Sequence, residues 1–213
     1  MTPAKHSQIS LRRWGGCVED YHAIHEFIDS TKALCADGRH RILHTHWALD
    51  NIVIPIFGRT FTNSSGKKVY TKELCEIDHF LPDFANQFIP TLGDFTDALP
   101  EISNAGITQR IEAFHSEFAQ IPSISKLLLS PLGVTGRMKS LLFTHNSWFI
   151  NTVLPMVYPA ETAKIHLINF DLTPADVFIP MNFELWMDNG AARPPSARSV
   201  GTIEQLRKLR TSN

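Results

Sequence analysis

The chain has 213 residues, of which 43% are hydrophobic and 19% are charged. This composition supplies enough apolar surface for a folded core and excludes a generally disordered chain. The 20 basic and 21 acidic residues nearly cancel, which argues against nucleic-acid binding driven by net charge. The length suits one domain, or one domain with an appended subdomain.

The cysteines and the apolar runs narrow the class of protein further. Cys17, Cys35 and Cys75 form no CxxC pair, so neither a cysteine-rich zinc site nor a disulfide framework is indicated. Residues 1–13 lack the apolar run of a secretory signal. No uninterrupted apolar run reaches the roughly 20 residues needed to span a bilayer. We therefore expect a soluble, cytoplasmic protein.

The sequence predicts a mainly α fold, a helical domain with a small β-hairpin. Residues 1–16 are expected to form an irregular lead-in. Helical spacing of apolar residues, with breaks at Asp37-Gly38 and at Pro55, predicts an antiparallel pair of helices, the first with Asp20 as its N-cap. The elements predicted for the first half are helices over residues 21–36, 39–54, 71–80 (with a continuation past Pro82) and 93–99, and a hairpin of residues 59–62 and 67–71.

The second half is predicted to be a helical extension packed on the first. Helical patterns cover residues 107–119 and 138–157, and short strands are predicted over 164–170 and 176–180. We find no internal repeat. The predicted domains are a His-rich helical domain with the β-hairpin (1–100), the helical extension (101–188), and a linker with a short basic C-terminal helix (189–213).

Histidines are concentrated in one stretch of the first half. Five of the ten lie between Glu19 and His46, and His79 follows in the third predicted helix. Histidine needs hydrogen-bond partners when it is buried, and it is a preferred ligand for transition metals. His25 and Asp29 are four residues apart and should share a helix face, as should His40 and His44. This spacing points to a site built between helices.

Three interpretations of these histidines remain open. The first is a metal site of His25, Asp29, His40 and His79, with His44 or His46 as alternatives. On an ideal helix His40 and His46 point about 120° apart, which favours His44. The second interpretation is a structural network in which histidines hydrogen-bond aspartates and carbonyl groups. The third is a His–Asp general base without a metal.

The first half also resembles an uncharacterised family found in bacteria and their phages. The resemblance covers about residues 6–99 and implies no activity. In this family's pattern the matching positions include His25, His40, His46 and His79, with Asp37 and Arg39, whereas His22 and His44 do not match. The resemblance therefore favours His46 over His44. The residues that carry it are Glu19-Asp20-Tyr21, Ile24-His25, Asp29-Ser30, Lys32, Asp37, Arg39-His40-Arg41, His46, Phe57-Gly58, Asn63-Ser64, Gly66, His79 and Ile89-Pro90-Thr91.

Two functional hypotheses follow. The first is a metal-dependent hydrolase of a phosphoester or related bond that uses Zn, Mn or Fe. Asp37 and Arg39 would be its catalytic residues, with Arg39 binding an anionic small-molecule substrate. The second is a non-enzymatic module with a structural His/Asp network that binds a protein partner, in the phage or phage-defence context that the resemblance implies. The metal ligands predicted under the first hypothesis are His25, Asp29, His40, His46 and His79.

Overall fold

The protein is mainly helical with a small β-hairpin, which confirms the predicted fold class. The computed structural model describes residues 1–35, 37–103, 105–109, 111–112, 120–162 and 172–182. The described residues form two compact units, unit 1 (Met1–Asp94) and unit 2 (Phe95–Asn182). None of the described helices is both long enough and apolar enough to cross a membrane. The strand predicted over 164–170, and the linker and basic helix predicted over 189–213, lie outside the described residues.

The N-terminal residues form a helix, and the predicted irregular lead-in is wrong. Helix α1 (Pro3–Trp14) begins with Thr2 as its N-cap, which accepts a hydrogen bond from the Lys5 N–H. Proline suits the first helical position because its missing N–H would have no partner there. The helix ends at Gly15, whose φ of 81° is accessible to glycine at little cost. These terminal residues could have identified the helix from the sequence.

Helix α2 (Glu19–Asp29) is shorter than the predicted 21–36 and continues as a 3₁₀-helix (Ser30–Ala33). Asp20 lies in the first turn and is not the N-cap. Its carboxylate accepts a hydrogen bond from the Cys17 N–H at 2.8 Å and one from the Ser64 hydroxyl at 2.7 Å. Asp20 therefore ties the start of α2 to the hairpin turn.

The helix predicted over 39–54 is broken into two. A 3₁₀-helix (Gly38–His44) is followed by Thr45 in an extended conformation, with φ −112° and ψ 153°. The Thr45 hydroxyl caps the next helix, α3, by accepting the Ala48 N–H at 3.2 Å. Helix α3 also runs through Pro55 instead of stopping there, because a wide π turn precedes the proline and changes the hydrogen-bond register. Its segments are His46–Ala48, the π segment Leu49–Val53, and Ile54–Phe57.

The predicted hairpin is confirmed. Strands β1 (Thr60–Thr62) and β2 (Lys68–Tyr70) pair antiparallel, with Phe61 opposite Val69. Helix α4 follows directly and passes through Pro82, as the sequence predicts. It consists of Thr71–Glu73, a π segment (Leu74–Phe80) and Leu81–Asp83, and it is followed by helix α5 (Leu92–Ala98).

The core of unit 1 contains both apolar and polar side chains without exposed surface. Its apolar members come from α2, α3, α4 and the hairpin, and include Tyr21, Ile28, Leu49, Ile52, Val69, Leu74 and Phe80. Polar side chains are buried at 0% exposure in the same core: His6, Ser10, His25, His44, Asp78 and His79. Because a buried polar group costs free energy unless it has a partner, the contacts of these residues decide what the core can do.

Unit 2 corrects two further predictions. The helix predicted over 138–157 is interrupted after Phe143, and the strand predicted over 176–180 is a helix whose N-cap, Thr173, forms a capping box with Asp176. Residues 105–109 and 111–112 are helical, in agreement with the pattern that begins at Ile107. The remaining elements are α6 (Pro122–Thr135), a 3₁₀-helix (Met138–Phe143), α7 (the π segment Phe149–Val153 and Leu154–Val157), α8 (Pro159–Thr162) and α9 (Pro174–Phe178).

One backbone pattern recurs in both units, although the sequence shows no evident repeat. In each unit a 3₁₀-helix is followed by a break and then by a π segment that leads into a turn with proline at its second position, Pro55 or Pro155. The last residue of the 3₁₀-helix is His44 in unit 1 and Phe143 in unit 2. The units therefore share local geometry, and Thr-His follows in both, but unit 1 has His44 where unit 2 has Phe143.

Candidate metal centre

Four buried side chains of unit 1 converge on one point. Asp29 lies at the end of α2, His44 at the end of the 3₁₀-helix, and His79 and Asp83 one turn apart on α4. Each offers one ligand atom, and these atoms all lie within 4.8 Å of one another. We call Asp29, His44, His79 and Asp83 the Asp–His quartet. Its members come from three separate segments, so the fold and not a local motif assembles it.

The spacing within the quartet matches that of ligands around a single ion. The His44 Nε2 atom lies 3.1 Å from His79 Nε2, 3.2 Å from Asp83 Oδ2 and 3.6 Å from Asp29 Oδ1. His79 Nε2 lies 3.5 Å from Asp29 Oδ1 and 4.0 Å from Asp83 Oδ2. Two ligand atoms about 2.1 Å from a shared ion are about 3.4 Å apart in a tetrahedral site and about 3.0 Å apart at right angles. The quartet can therefore hold a metal ion.

The quartet is closed to solvent and carries negative charge. The exposed fractions of its side chains are 0% for both histidines, 3% for Asp29 and 1% for Asp83. Burial works to raise the pKa of Asp29 and Asp83, but the facing histidines outweigh it and hold both pKa values below the ordinary range. Burial is also the main reason that the pKa of His79 lies well below its usual value, and nearby His44 lowers it further. Two carboxylates and two imidazoles form a donor set for a cation.

A chain of hydrogen bonds runs from His79 to the other side of the core. His79 Nδ1 lies 2.9 Å from His25 Nδ1, and His25 Nε2 lies 2.9 Å from the Ser10 hydroxyl. The Ser10 hydroxyl donates to Asp78 Oδ2 at 3.1 Å, and Trp14 Nε1 donates to the same oxygen at 2.9 Å. Burial raises the pKa of Asp78, and Arg13, Ser10 and Trp14 oppose the rise by binding its ionised form.

The direction of this chain fixes the tautomer of His79. Because Ser10 gives its only hydrogen to Asp78, it must accept from His25 Nε2–H. The Nδ1 atom of neutral His25 is then an acceptor, so His79 donates its Nδ1–H to it. The unprotonated Nε2 of His79 consequently points into the quartet, which is the form that binds a metal. A second partner that orients a ligating histidine in this way is typical of metal sites.

The structure separates the predicted ligands into three groups. Asp29 and His79 belong to the quartet. His25 is not a member of the quartet but hydrogen-bonds to His79, which is. His40 lies next to the quartet, because its ring centre is 5.8 Å from that of His44. His46 lies elsewhere, because its Nε2 is 3.0 Å from Glu76 Oε1 and its side chain is 45% exposed. Of the two alternatives left open by the sequence, the geometry brings His44 and not His46 to the quartet.

The predicted catalytic pair, Asp37 and Arg39, is occupied locally. Asp37 caps the 3₁₀-helix by accepting the Arg39 N–H at 3.0 Å, and the Arg39 Nε atom lies 2.8 Å from the same carboxylate. The Arg39 guanidinium is the main cause that lowers the pKa of Asp37. The Asp37 carbonyl oxygen also accepts a hydrogen bond from His40 Nδ1. The structure thus gives this pair a role in shaping the 3₁₀-helix, and its catalytic role stays a prediction.

Four residues of the centre were absent from the predicted site: His6, Ser10, Asp78 and Asp83. A signal for Asp83 was present, because His79 and Asp83 repeat the four-residue spacing of His25 and Asp29. His6 and Ser10 show the same spacing on α1, but they were hidden by the prediction of an irregular lead-in. The predicted choice of His46 came from the resemblance, and no helical argument supported it.

Comparison with known families identifies a matching region of the chain but no activity. Residues 1–104 match the family described as a domain of unknown function, DUF6915. The matched residues include the whole quartet and the hydrogen-bond chain through His25. The match is consistent with the predicted resemblance to an uncharacterised family. Searches against curated proteins and against solved structures gave no match.

The buried histidines predict how stability depends on pH. Burial is the first cause, and nearby His6 the second, that lowers the pKa of His25 to about 3, against 6.5 ordinarily. Below pH 6.5 the unfolded chain therefore takes up a proton that the folded chain does not. The free energy of unfolding should fall as the pH decreases from 6.5 toward 3, and His25 should account for up to about 1.4 kcal/mol per pH unit.

Urea unfolding of the wild type and of His25→Gln between pH 4 and 7, with a chelator present, measures this contribution. The slope of the unfolding free energy against pH should be smaller in the variant by about one proton. His46→Gln, which removes an exposed histidine, serves as the comparison variant. Equal slopes in His25→Gln and the wild type would show that His25 is charged in the folded protein.

Proposed function

We propose that unit 1 binds a divalent transition-metal ion through the Asp–His quartet. The observation that carries this proposal is the convergence of four buried ligand atoms at separations of 3.1–4.0 Å for the five pairs that include a histidine. A mixed set of imidazole nitrogens and carboxylate oxygens suits Zn, Mn or Fe. The hydrogen-bond chain through His25 supports the proposal because it presents an unprotonated nitrogen of His79.

We further propose that the ion serves the hydrolysis of a phosphoester or related bond. The donor set has no cysteine, and His/carboxylate sets are typical of catalytic metal sites, whereas structural zinc sites rely on cysteine. A divalent ion in such a site would polarise a phosphoryl oxygen and lower the pKa of a bound water toward about 7. Asp29 and Asp83 supply two negative charges that favour binding of the ion.

Arg41 supports an anionic substrate better than Arg39 does. Its guanidinium lies 4.9 Å from the centre of the Phe84 ring. Phe84 follows Asp83 in the sequence, and its ring centre lies 6.4 Å from that of His44. The buried Arg41 Nε atom has no hydrogen-bond partner among the described residues. A guanidinium with an unused donor is suited to bind a phosphate group.

A non-enzymatic role is the second candidate, and the closure of the quartet favours it. All four side chains are at most 3% exposed. An ion held there would tie α2, the 3₁₀-helix and α4 together, as a structural metal does. The protein would then act through a protein partner, in the phage or phage-defence context that the resemblance implies.

Metal analysis of matched histidine variants tests the binding site. The wild type and His46→Gln should retain stoichiometric metal after dialysis, whereas His44→Gln should lose it, because only His44 faces the quartet. Asp29→Asn should lose the metal as well. Circular dichroism of each variant controls for folding. A folded wild type that takes up neither Zn, Mn nor Fe would refute the proposed function.

Hydrolysis can be assayed with the metal-loaded full chain on 4-nitrophenyl phosphate and bis(4-nitrophenyl) phosphate. Turnover should depend on the metal and be lost in Asp83→Asn. Arg41→Gln should raise KM by about tenfold or more at unchanged metal content, while Arg12→Gln, an arginine of α1, should behave as the wild type. If the fully loaded protein hydrolyses neither compound, the catalytic proposal fails and the non-enzymatic candidate is favoured.

A further inference from the structure

His6 is a buried histidine that the quartet does not use. It lies on α1 and has no exposed surface. Its Nδ1 atom lies 2.8 Å from the carbonyl oxygen of Asp78, which can only accept, so Nδ1 carries the hydrogen. The Nε2 atom is the other ring nitrogen, and it is buried without a hydrogen-bond partner among the described residues. Donation of one ring N–H to a backbone carbonyl while the other nitrogen stays free is the usual state of a metal-ligating histidine.

The free nitrogen of His6 faces the outer oxygen of Asp83. Its Nε2 atom lies 3.2 Å from Asp83 Oδ1 and has no hydrogen-bond partner among the described residues. The separation is again the one expected for two ligands of the same ion, about 3.0–3.4 Å.

Asp83 is placed symmetrically between two imidazoles. Its Oδ2 atom lies 3.2 Å from His44 Nε2, and its Oδ1 atom lies 3.2 Å from His6 Nε2. The His6 ring also stacks on His79, with ring centres 3.8 Å apart and planes inclined by 8°. Two-metal hydrolytic sites hold their ions about 3.5–4 Å apart. The arrangement resembles a carboxylate that bridges two ions.

We propose that His6 and Asp83 hold a second divalent cation, so that Asp83 bridges it to the ion of the quartet. This proposal rests on the proposed function, because the first ion is the one in the quartet. The second position has two protein ligands among the described residues and is completed by water or by an oxygen of the substrate. It thus adds coordination positions for water or substrate to those of the ion in the quartet.

The bridged pair also narrows the class of substrate. Two ions beside one another bind the two non-bridging oxygens of a phosphoester and neutralise the charge that develops during an in-line displacement. The amino group of Met1 lies 2.6 Å from Asp83 Oδ1 and is 34% exposed. This amine balances the charge of Asp83 when no second cation is bound, and it must move aside when one binds.

Stoichiometry and magnetic coupling of Mn²⁺ test the second position in the full chain. The wild type should bind two Mn²⁺ per chain and give the exchange-coupled electron paramagnetic resonance signal of a bridged pair. His6→Gln should bind one Mn²⁺ and give the signal of an isolated ion. His22→Gln, a histidine of α2 outside this network, should keep two ions and the coupling.

The outcomes separate this proposal from the first one. A wild type that binds a single uncoupled Mn²⁺, equally in His6→Gln, would overturn the second site alone. A wild type that binds no Mn²⁺, Zn²⁺ or Fe²⁺ would overturn the proposed function. If His6→Gln fails to fold, the wild type alone tests the second site: a coupled signal supports it, and the absence of coupling overturns it.

Discussion

The burial of two carboxylates against two imidazoles is the constraint on which unit 1 depends. Asp29 and Asp83 remain ionised at nearly zero exposure, and the loss of hydration is costly unless positive charge lies close by. Lys32 lies 2.6 Å from Asp29 at the edge of the group, with its own side chain 36% exposed. A cation at the centre would contact both carboxylates and the Nε2 atoms of both histidines at once. Three separate segments have to fold together before this arrangement exists, so metal affinity and folding of unit 1 should be linked.

Hydrogen bonds from the surrounding core fix the orientation of the buried histidine rings. Asp78, at one end of the hydrogen-bond chain, receives hydrogens from Trp14, Ser10 and Arg13, and this orders the hydrogens through His25 to His79. His6 is fixed independently by a backbone carbonyl. Histidines that look like five equivalent candidates in the sequence therefore have different tasks. His44 belongs to the quartet, His25 hydrogen-bonds to His79 of the quartet, and His46 forms a surface pair with Glu76.

The fold class, the hairpin and the continuation of α4 past Pro82 could be predicted because periodicity and turn residues determine them locally. The site was only partly predictable. His40 and His44 were expected on one face, but residues four apart in a 3₁₀-helix, with about three residues per turn, point about 120° apart. The extended Thr45 then separates the helical phase of His44 from that of His46. Helical geometry could not reveal that His6 faces Asp83 either, since the two residues lie 77 positions apart in the sequence.

We propose that imidazole nitrogens and carboxylate oxygens of the quartet bind a metal ion. X-ray absorption at the metal edge of the full chain, loaded with one equivalent of Zn²⁺, tests it most directly. We expect nitrogen and oxygen ligands at about 2.0–2.2 Å, with the outer-shell scattering of two imidazole rings. A sulfur shell at about 2.3 Å, or a spectrum without imidazole scattering, would contradict it.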